Sequence, residues 1–222
     1  MKTDTAHRAW DVQWGSEQGR ADWTAAEPDV VETATDIAAS HGSVAALDLG
    51  CGVGRHALVF ARLGFDTSAV DLAETGLAEV RRSAAAEDLT IDARAAPMTA
   101  LPFADNSFDY VLSFNVLYHG DPEIVATAIG EIARVLRPGG TFQGTMLSKR
   151  NTGFGVGTEV APNTFVRDAV DPDDTDKIHP HFYCNAAELV ACFAGFELLT
   201  LRDLEHKKPG SWHWHMVAER KS

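Results

Sequence analysis

The feature that most constrains this chain is a set of three glycines at alternate positions, Gly50, Gly52 and Gly54. Residues 44–49 ahead of them have the length and apolar character of a buried strand, and residues 55–63 behind them show the apolar spacing of a helix. Glycine adopts positive φ angles and lets a ligand approach the backbone, while a helix N-terminus offers free N–H groups to an anion. The segment therefore predicts a strand, a ligand-binding turn and a helix.

The spacing of these glycines argues against a dinucleotide site. The dinucleotide fingerprint requires Gly-x-Gly-x-x-Gly. Counted from Gly50, the third glycine would fall on Arg55, and counted from Gly52 it would fall on Ala57. The chain has instead an acid, Asp48, two positions before the first glycine, and it reads Asp-x-Gly-x-Gly-x-Gly. A nicotinamide-dependent oxidoreductase is therefore the less favoured interpretation.

A second acid lies at the end of the next predicted strand. Residues 65–70 form that strand, and Asp71 and Leu72 follow it. A carboxylate at this position can accept both hydrogen bonds of a ribose diol, and each charge-assisted bond contributes about 1.5–3 kcal/mol. The alternative is that Asp71 only caps the helix predicted over 73–87.

Strand and helix patterns alternate along the rest of the chain. A helix is expected after Asp121 and Pro122, because its apolar residues recur at helical spacing. The alternation implies an α/β fold with a parallel sheet and helices on both faces. The further predicted strands are 89–95, 108–114, 141–147, 196–203 and 212–219.

Length and composition predict a single domain over residues 1–222. A chain of 222 residues that is 45% hydrophobic can bury one substantial α/β core. We expect residues 1–42, which contain Trp10, Trp14 and Trp23, to form an N-terminal cap. Residues 148–183 show no regular pattern, and a connection of that length is uncommon unless it covers a site. We therefore predict a substrate lid there.

Charge and cysteine usage narrow the expected partners. The net charge of −13 disfavours a nucleic-acid substrate, so a small-molecule substrate is expected. The start of the sequence lacks the apolar segment of a signal peptide, and no apolar run reaches the length of a membrane span. Cys51, Cys184 and Cys192 form no paired framework, which suits reduced thiols. These observations predict a cytoplasmic monomer or homodimer without membrane contact.

Three segments together resemble the class I S-adenosylmethionine-dependent methyltransferases. They are the Asp-x-Gly-x-Gly-x-Gly turn, residues 101–109 (LPFADNSFD) and residues 134–140 (RVLRPGG). The resemblance implies a Rossmann-like, doubly wound α/β fold whose mostly parallel seven-stranded sheet has an antiparallel last strand. It also implies S-adenosylmethionine as the cofactor and methyl transfer as the reaction. The cofactor-binding residues carried over are Asp48, Gly50, Cys51, Gly52, Gly54, Asp71, Leu72, Ala96, Met98 and Asn115.

One departure from the family pattern lies after the third strand. Many members have an acid there that binds the adenine amino group, whereas this chain reads Ala95-Ala96-Pro97-Met98. Backbone groups and apolar contacts from Met98 must then recognise adenine. A non-catalytic sensor of S-adenosylmethionine is a second interpretation of the same motifs, and a sensor needs no polar side chains beside the methyl group.

The acceptor side is predicted from strand ends and from a narrower resemblance. Ligands of open α/β sheets bind beyond the carboxyl ends of the parallel strands. By this rule we expect Tyr118 and His119 to lie near the methyl group. The alternative is that they only form a capped loop before the next helix. His181 and Trp212 complete the predicted substrate residues.

The glycine turn with Arg55 and the final hairpin look like those of the tellurite-resistance methyltransferases. In that family a His-Arg pair ahead of the last strand is proposed to handle the substrate, and the matching positions are His206 and Lys207. Lysine does not grip an oxyanion as arginine does, whereas His206 keeps the capacity of a general base. The resemblance implies a thiol or a selenium or tellurium species as acceptor. The alternative for His206 is a surface turn histidine.

Two further clusters suggest a metal without having the spacing of a metal site. His179, His181, His206, His213 and His215 fit a polar pocket or metal ligands, but they show no recognisable ligand pattern. The acidic run Asp171, Asp173, Asp174 and Asp176 lacks the central glycine of a calcium loop and is expected to be a solvated face. The sequence therefore predicts no metal.

Overall fold

The computed structural model describes residues 5–40, 42–167 and 175–222. The helices are α1 His7–Trp14, α2 Glu17–Ala21, α3 Pro28–Ser40, α4 Arg55–Arg62, α5 Glu74–Ala86, α6 Pro122–Val135 and α7 Ala186–Cys192, with a 3-10 helix at Thr175–Ile178. The strands are β1 Ala45–Leu49, β2 Asp66–Asp71, β3 Asp92–Ala95, β4 Phe108–Ser113, β5 Leu136–Ser148, β6 Thr158–Ala161, β7 Thr164–Val166, β8 His181–Cys184, β9 Phe196–Glu205 and β10 Trp212–Arg220.

Seven strands form the central sheet, in the order β3-β2-β1-β4-β5-β10-β9. The five strands from β1 to β5 are mutually parallel, whereas β10 runs antiparallel to both of its neighbours. The predicted α/β class and the antiparallel last strand are confirmed. Parallel β1 and β4 are buried on both faces, which explains why they read as continuous apolar runs.

The two faces of the sheet carry separate parts of the core. On one face, Leu47 and Val111 pack with residues of α6 such as Ile132. On the other, Tyr110 packs with Phe60 of α4. Successive residues of a strand point to opposite faces, so neighbours in the sequence serve different halves of the core. The sheet is thus held rigidly between two layers, and its carboxyl edge is a fixed platform for a site.

Strand β3 is shorter than the predicted 89–95. Asp88 has a φ of 53°, and the N–H of Leu89 donates to the Ala84 carbonyl at 2.9 Å. Leu89 therefore belongs to the end of α5, where it satisfies a terminal carbonyl of that helix. The strand begins only at Asp92, at the edge of the sheet.

The described parts of the segment 148–183, residues 148–167 and 175–183, contain regular structure, contrary to the prediction from the sequence. They contain the β6–β7 hairpin, and β8 pairs antiparallel with β7 and parallel with the end of β5. At three or four residues each, these strands are too short to show a periodic pattern in the sequence. The segment thus extends the carboxyl edge of the sheet beyond β5.

Within the described ranges, no helix has the length and apolar character that a membrane crossing requires. Cys51, Cys184 and Cys192 are all free thiols, in agreement with the prediction from their spacing.

Candidate functional site

A cleft of about 940 Å³, open mouth included, lies at the carboxyl ends of β1, β2 and β4. Its position agrees with the rule for open α/β sheets. His119, predicted as a substrate residue, lies on its wall. The predicted cofactor residues on its wall are Gly50, Cys51, Gly52, Asp71, Leu72, Ala96, Met98 and Asn115.

The glycine turn is held by the neighbouring strand. The N–H groups of Gly50 and Cys51 both donate to the Val70 carbonyl, at 2.7 and 3.0 Å. Gly50 has a φ of 72°, and a Cβ atom built there would lie 2.2 Å from a methyl carbon of Val116. A side chain at position 50 would therefore strain the backbone and displace Val116. The absence of a side chain lets the turn pack tightly at the floor of the cleft.

Asp71 connects the glycine turn with the next helix. Its Oδ2 accepts from the Gly52 N–H and its Oδ1 from the Ala73 N–H, each at 2.8 Å. Burial raises the pKa of the Asp71 carboxyl, although these backbone donors oppose that effect. Each carboxylate oxygen can accept more than one hydrogen bond, and Asp71 lines the cleft. Asp71 therefore accepts a backbone hydrogen bond at the start of the α5 segment and still faces the space predicted for the cofactor.

Asp48 and Gly54 lie outside the cleft wall. Asp48 is 2% exposed, and its Oδ2 accepts from the Ala57 N–H of α4 at 3.0 Å. Gly54 has a φ of 83°, and a Cβ there would lie 2.7 Å from a Val80 methyl carbon. These two residues fix the direction of α4 and its packing on α5.

Tryptophans of the N-terminal segment form the opposite wall. Trp10 stacks on Trp14 at a centroid distance of 5.1 Å and meets Trp23 edge-on at 5.0 Å. Asp11 anchors α1 to α5, because its Oδ1 accepts from the N–H and the hydroxyl of Thr75 at 2.9 and 2.7 Å. All three tryptophans line the cleft. They were predicted only as part of the N-terminal cap, and none was named as a site residue.

Arg55 is a second wall residue to which the sequence analysis gave no site role. Its Nη1 donates to Glu27 Oε1 at 3.0 Å, and its guanidinium carbon lies 5.3 Å from the Trp23 ring and 5.6 Å from the Phe114 ring. The side chain is 9% exposed. A guanidinium between two aromatic faces is held by cation–π attraction as well as by its ion pair. It brings positive charge to the part of the wall formed by Trp23 and Phe114.

Asn115 and Tyr118 follow β4. Asn115 has a φ of 61°, and its N–H donates to Thr145 Oγ1 at 2.8 Å while the Thr145 hydroxyl donates to Asn115 Oδ1 at 3.2 Å. Asparagine tolerates this backbone conformation better than most residues. Tyr118 is 5% exposed and packs in the core behind the cleft wall.

The structure does not bring His206 and Lys207 onto the cleft wall. His206 Nε2 lies 2.7 Å from His215 Nε2, and its ring stacks at 6.1 Å on Phe114, which does line the cleft. Burial lowers the pKa of His206 to about 4, so the ring is neutral at neutral pH. Lys207 is exposed.

The two remaining predicted substrate residues also lie off the wall. Trp212 packs under Arg150, whose guanidinium carbon is 3.4 Å from the ring centroid. His181 is 1% exposed and lies behind His119. The acidic run is described only at Asp176, since positions 171, 173 and 174 lie outside the described residues. Asp176 is not on a solvated face, because its side chain is 14% exposed and contacts His181.

Comparison with known proteins finds similarity to methyltransferases over the central part of the chain. Residues 46–140 match the family described as a methyltransferase domain. The ubiquinone biosynthesis O-methyltransferase of Sinorhizobium fredii is 37% identical over 95 residues, which cover 42% of this chain and 37% of that protein. The chain thus spans little more than a third of the length of this curated relative.

Two solved structures show the same fold along nearly the whole chain. One is the Burkholderia thailandensis 1,6-didemethyltoxoflavin-N1-methyltransferase with bound 1,6-didemethyltoxoflavin and S-adenosylhomocysteine. Its TM-score is 0.72 at 22% identity, with coverage of 97% of this chain and 87% of that one. The other is TehB from Haemophilus influenzae, with a TM-score of 0.65, 23% identity and coverage of 90% and 64%.

The strand order, the glycine turn and the acid after β2 define a class I methyltransferase fold. The matched domain and the shared fold both support the resemblance to the S-adenosylmethionine-dependent methyltransferases. The resemblance inferred from the sequence motifs is confirmed.

Asp48 is expected to make the stability of the protein depend on pH. Burial raises its pKa from an ordinary value of 3.8 to about 7, so the folded state binds this proton more tightly than the unfolded chain. The tighter proton binding stabilises the folded state. This contribution is complete below the ordinary pKa of 3.8 and is lost as the pH rises through about 7. In Asp48→Asn the amide oxygen can still accept from Ala57, but the residue no longer titrates.

Urea unfolding of both proteins from about pH 4 to pH 7.5 tests this prediction. We expect the unfolding free energy of the wild type to fall relative to that of Asp48→Asn as the pH rises. Buried histidines with lowered pKa values make the unfolding free energy rise with pH. They do so equally in both proteins, so their contribution cancels in the difference between the two unfolding free energies. A difference that stays constant with pH would contradict the shifted pKa of Asp48.

Proposed function

We propose that this protein transfers a methyl group from S-adenosylmethionine to a small-molecule acceptor. The observation that carries the proposal is the Asp71 carboxylate, which holds the Gly52 N–H while facing the cleft. The cleft also fits a ligand that lies close to the backbone, because its floor is a turn without side chains at Gly50 and Gly52. Bound S-adenosylmethionine would supply an electrophilic methyl group on a sulfonium that leaves as a neutral thioether.

The residues of the cleft divide the remaining work. Asp71 would bind the ribose hydroxyls, Ala96 and Met98 would pack on adenine, and Arg55 would offer its charge to the cofactor carboxylate. The tryptophan wall would exclude water from the reacting atoms. Positioning of this kind can supply about 7–11 kcal/mol of barrier reduction.

We propose a soft nucleophile, a thiol or a selenium or tellurium species, as the acceptor. The support is the resemblance of the glycine turn and the final hairpin to the tellurite-resistance methyltransferases, together with the surroundings of His56 and His206, neither of which is free to act as a base. His56 lines the cleft, but its Nε2 accepts from the Glu27 N–H at 3.2 Å, and burial lowers its pKa to about 3. His206 lies behind Phe114. An acceptor that is already anionic needs no base, whereas an alcohol or an amine requires one.

A non-catalytic sensor of S-adenosylmethionine is the second candidate. Asn115 and His119 on the cleft wall favour catalysis, since a sensor needs no polar side chains beside the methyl group. Transfer of a labelled methyl group to any acceptor separates the two candidates.

The acceptor proposal predicts a ranking of substrates. In a panel of thiols, selenite, tellurite, amines and phenols, we expect thiol or chalcogen acceptors to be methylated at least about tenfold faster than amines and phenols of similar size. With thiols, the rate should follow the ionisation of the acceptor as the pH is varied. Faster transfer to phenols or amines would refute the acceptor class, and binding of S-adenosylhomocysteine without any transfer would favour the sensor.

Asp71→Ala should weaken the binding of S-adenosylhomocysteine at least about tenfold, since it removes charge-assisted hydrogen bonds and leaves the Gly52 N–H without its acceptor. Isothermal titration calorimetry measures the effect. Asp92→Ala is the matched control, because Asp92 begins the adjacent strand with its side chain 47% exposed. Equal affinities of the two variants, or tighter binding of NAD than of S-adenosylhomocysteine by the wild type, would overturn the assignment of the cleft.

His206→Ala should slow turnover more than it weakens cofactor binding, because the ring supports Phe114 from behind. His206 is then a positioning residue, and His206→Phe should restore most of the turnover by restoring the stacking. Steady-state rates and calorimetry on both variants decide the role. If His206→Phe is as slow as His206→Ala, while both fold and bind S-adenosylhomocysteine, His206 handles a proton instead.

A further inference from the structure

Three side chains that are distant in the sequence converge beside the cleft. His119 follows β4, Asp176 lies in the 3-10 helix, and His181 begins β8. His119 and His181 form an isolated antiparallel β-bridge, and their rings meet edge-on at a centroid distance of 4.8 Å. We refer to these three residues as the His119–Asp176–His181 cluster.

The distances in this cluster suit a metal ion. Asp176 Oδ2 lies 3.3 Å from His181 Nε2 and 3.8 Å from His119 Nε2, and the three ligand atoms all lie within 4.8 Å of one another. Ligands held at about 2.0–2.1 Å from a tetrahedral zinc ion are separated by roughly 3.3 Å. One of the three separations therefore has this value already, and small side-chain rotations would bring the others to it.

The hydrogen bonds leave the nitrogens of the cluster in a form that can bind a metal. His181 Nδ1 lies 2.8 Å from the His179 carbonyl oxygen, so Nδ1 carries the proton and the lone pair is on Nε2. A backbone carbonyl behind the ring is the usual support of a metal-binding histidine. His119 Nε2 is buried and has no hydrogen-bond partner within residues 5–40, 42–167 and 175–222.

A lone pair and a carboxylate oxygen facing each other at 3.3 Å repel unless a cation lies between them. The ammonium of Lys177 fills this role in the structure, with Nζ 3.2 Å from both His181 Nε2 and Asp176 Oδ2. The cluster is thus already arranged around a positive charge. The Lys177 side chain is 24% exposed and has room to turn away.

We propose that His119, Asp176 and His181 bind a divalent transition-metal ion of the zinc type, in competition with the ammonium of Lys177. Two imidazoles and one carboxylate form a ligand set for such ions, whereas calcium and magnesium prefer oxygen ligands alone. The ion would join the loop after β4 to β8. His119 is also on the cleft wall, so the ion would lie beside the acceptor end of the cleft, a position that rests on the proposed function.

The test is metal binding by the full-length protein, free of any histidine tag and treated with a chelator. Zinc affinity is measured by competition with a chromophoric chelator, and cobalt(II) is used separately as a spectroscopic probe. We expect one zinc ion per chain and a visible cobalt absorption. Asp176→Asn and His181→Gln should each weaken zinc binding at least about tenfold and abolish the cobalt absorption. Lys177→Met, which removes the competing ammonium, should tighten zinc binding.

His215→Gln is the matched control, because His215 belongs to the separate group with His206 and Asp29. It should leave the zinc affinity unchanged. Zinc binding that is absent, survives Asp176→Asn and His181→Gln, or is lost in His215→Gln would overturn the proposal, as would weaker binding by Lys177→Met. Circular dichroism and titration with S-adenosylhomocysteine on the same samples show whether each variant folds and keeps its cleft. A failed metal site is therefore distinguishable from a failed cofactor site.

Discussion

The attachment of the glycine turn to the end of β2 is the constraint on which the site depends. Val70 accepts two backbone N–H groups of the turn, and Asp71 accepts a third from Gly52. Buried backbone donors must find acceptors, so this pairing fixes the turn whether or not a ligand is bound. The same carboxylate faces the cleft, and preorganisation of the turn therefore also orients the group predicted to bind the cofactor. Folding and ligand recognition use one set of contacts here.

The sequence was most informative where local periodicity and burial coincide. The strand predicted at 44–49 is observed at Ala45–Leu49, and the helix predicted at 55–63 is observed at Arg55–Arg62. Prediction failed at β6, β7 and β8, because strands this short carry no periodic signal and depend on pairing with β5. It also failed at Leu89, where a hydrogen bond to the preceding helix outweighs strand propensity. The central sheet was thus predictable, and its extension was not.

The site shows the same division between local and tertiary information. Residues of the turn and of strand ends line the cleft as a strand-end rule would place them. The position of His206 depends on the register of the β9–β10 hairpin and on the stacking of its ring against His213 at 3.8 Å. The tryptophan wall depends on how α1 docks on α5 through Asp11 and Thr75. Neither contact could be predicted from the spacing of residues along the chain, because both depend on tertiary packing.

The histidines show why residue type alone is a weak guide to role. His206, His213 and His215 form one group behind the cleft, in which His213 is buried and the other two are partly buried. Burial lowers the pKa of His213 to about 3. His119 and His181 belong to a different group, where a carboxylate and an ammonium alternate with imidazole nitrogens. The first group packs against Phe114 on the cleft wall. In the second group, the lone pair of His181 Nε2 faces the ammonium of Lys177 beside the cleft. Both groups include a carboxylate, and what separates them is which ring nitrogen faces it. His215 Nδ1 lies 2.9 Å from Asp29 Oδ2 and can donate its proton there. The Nδ1 proton of His181 is used by the His179 carbonyl, so the Nε2 lone pair faces Asp176 and needs the positive charge of Lys177 between the two.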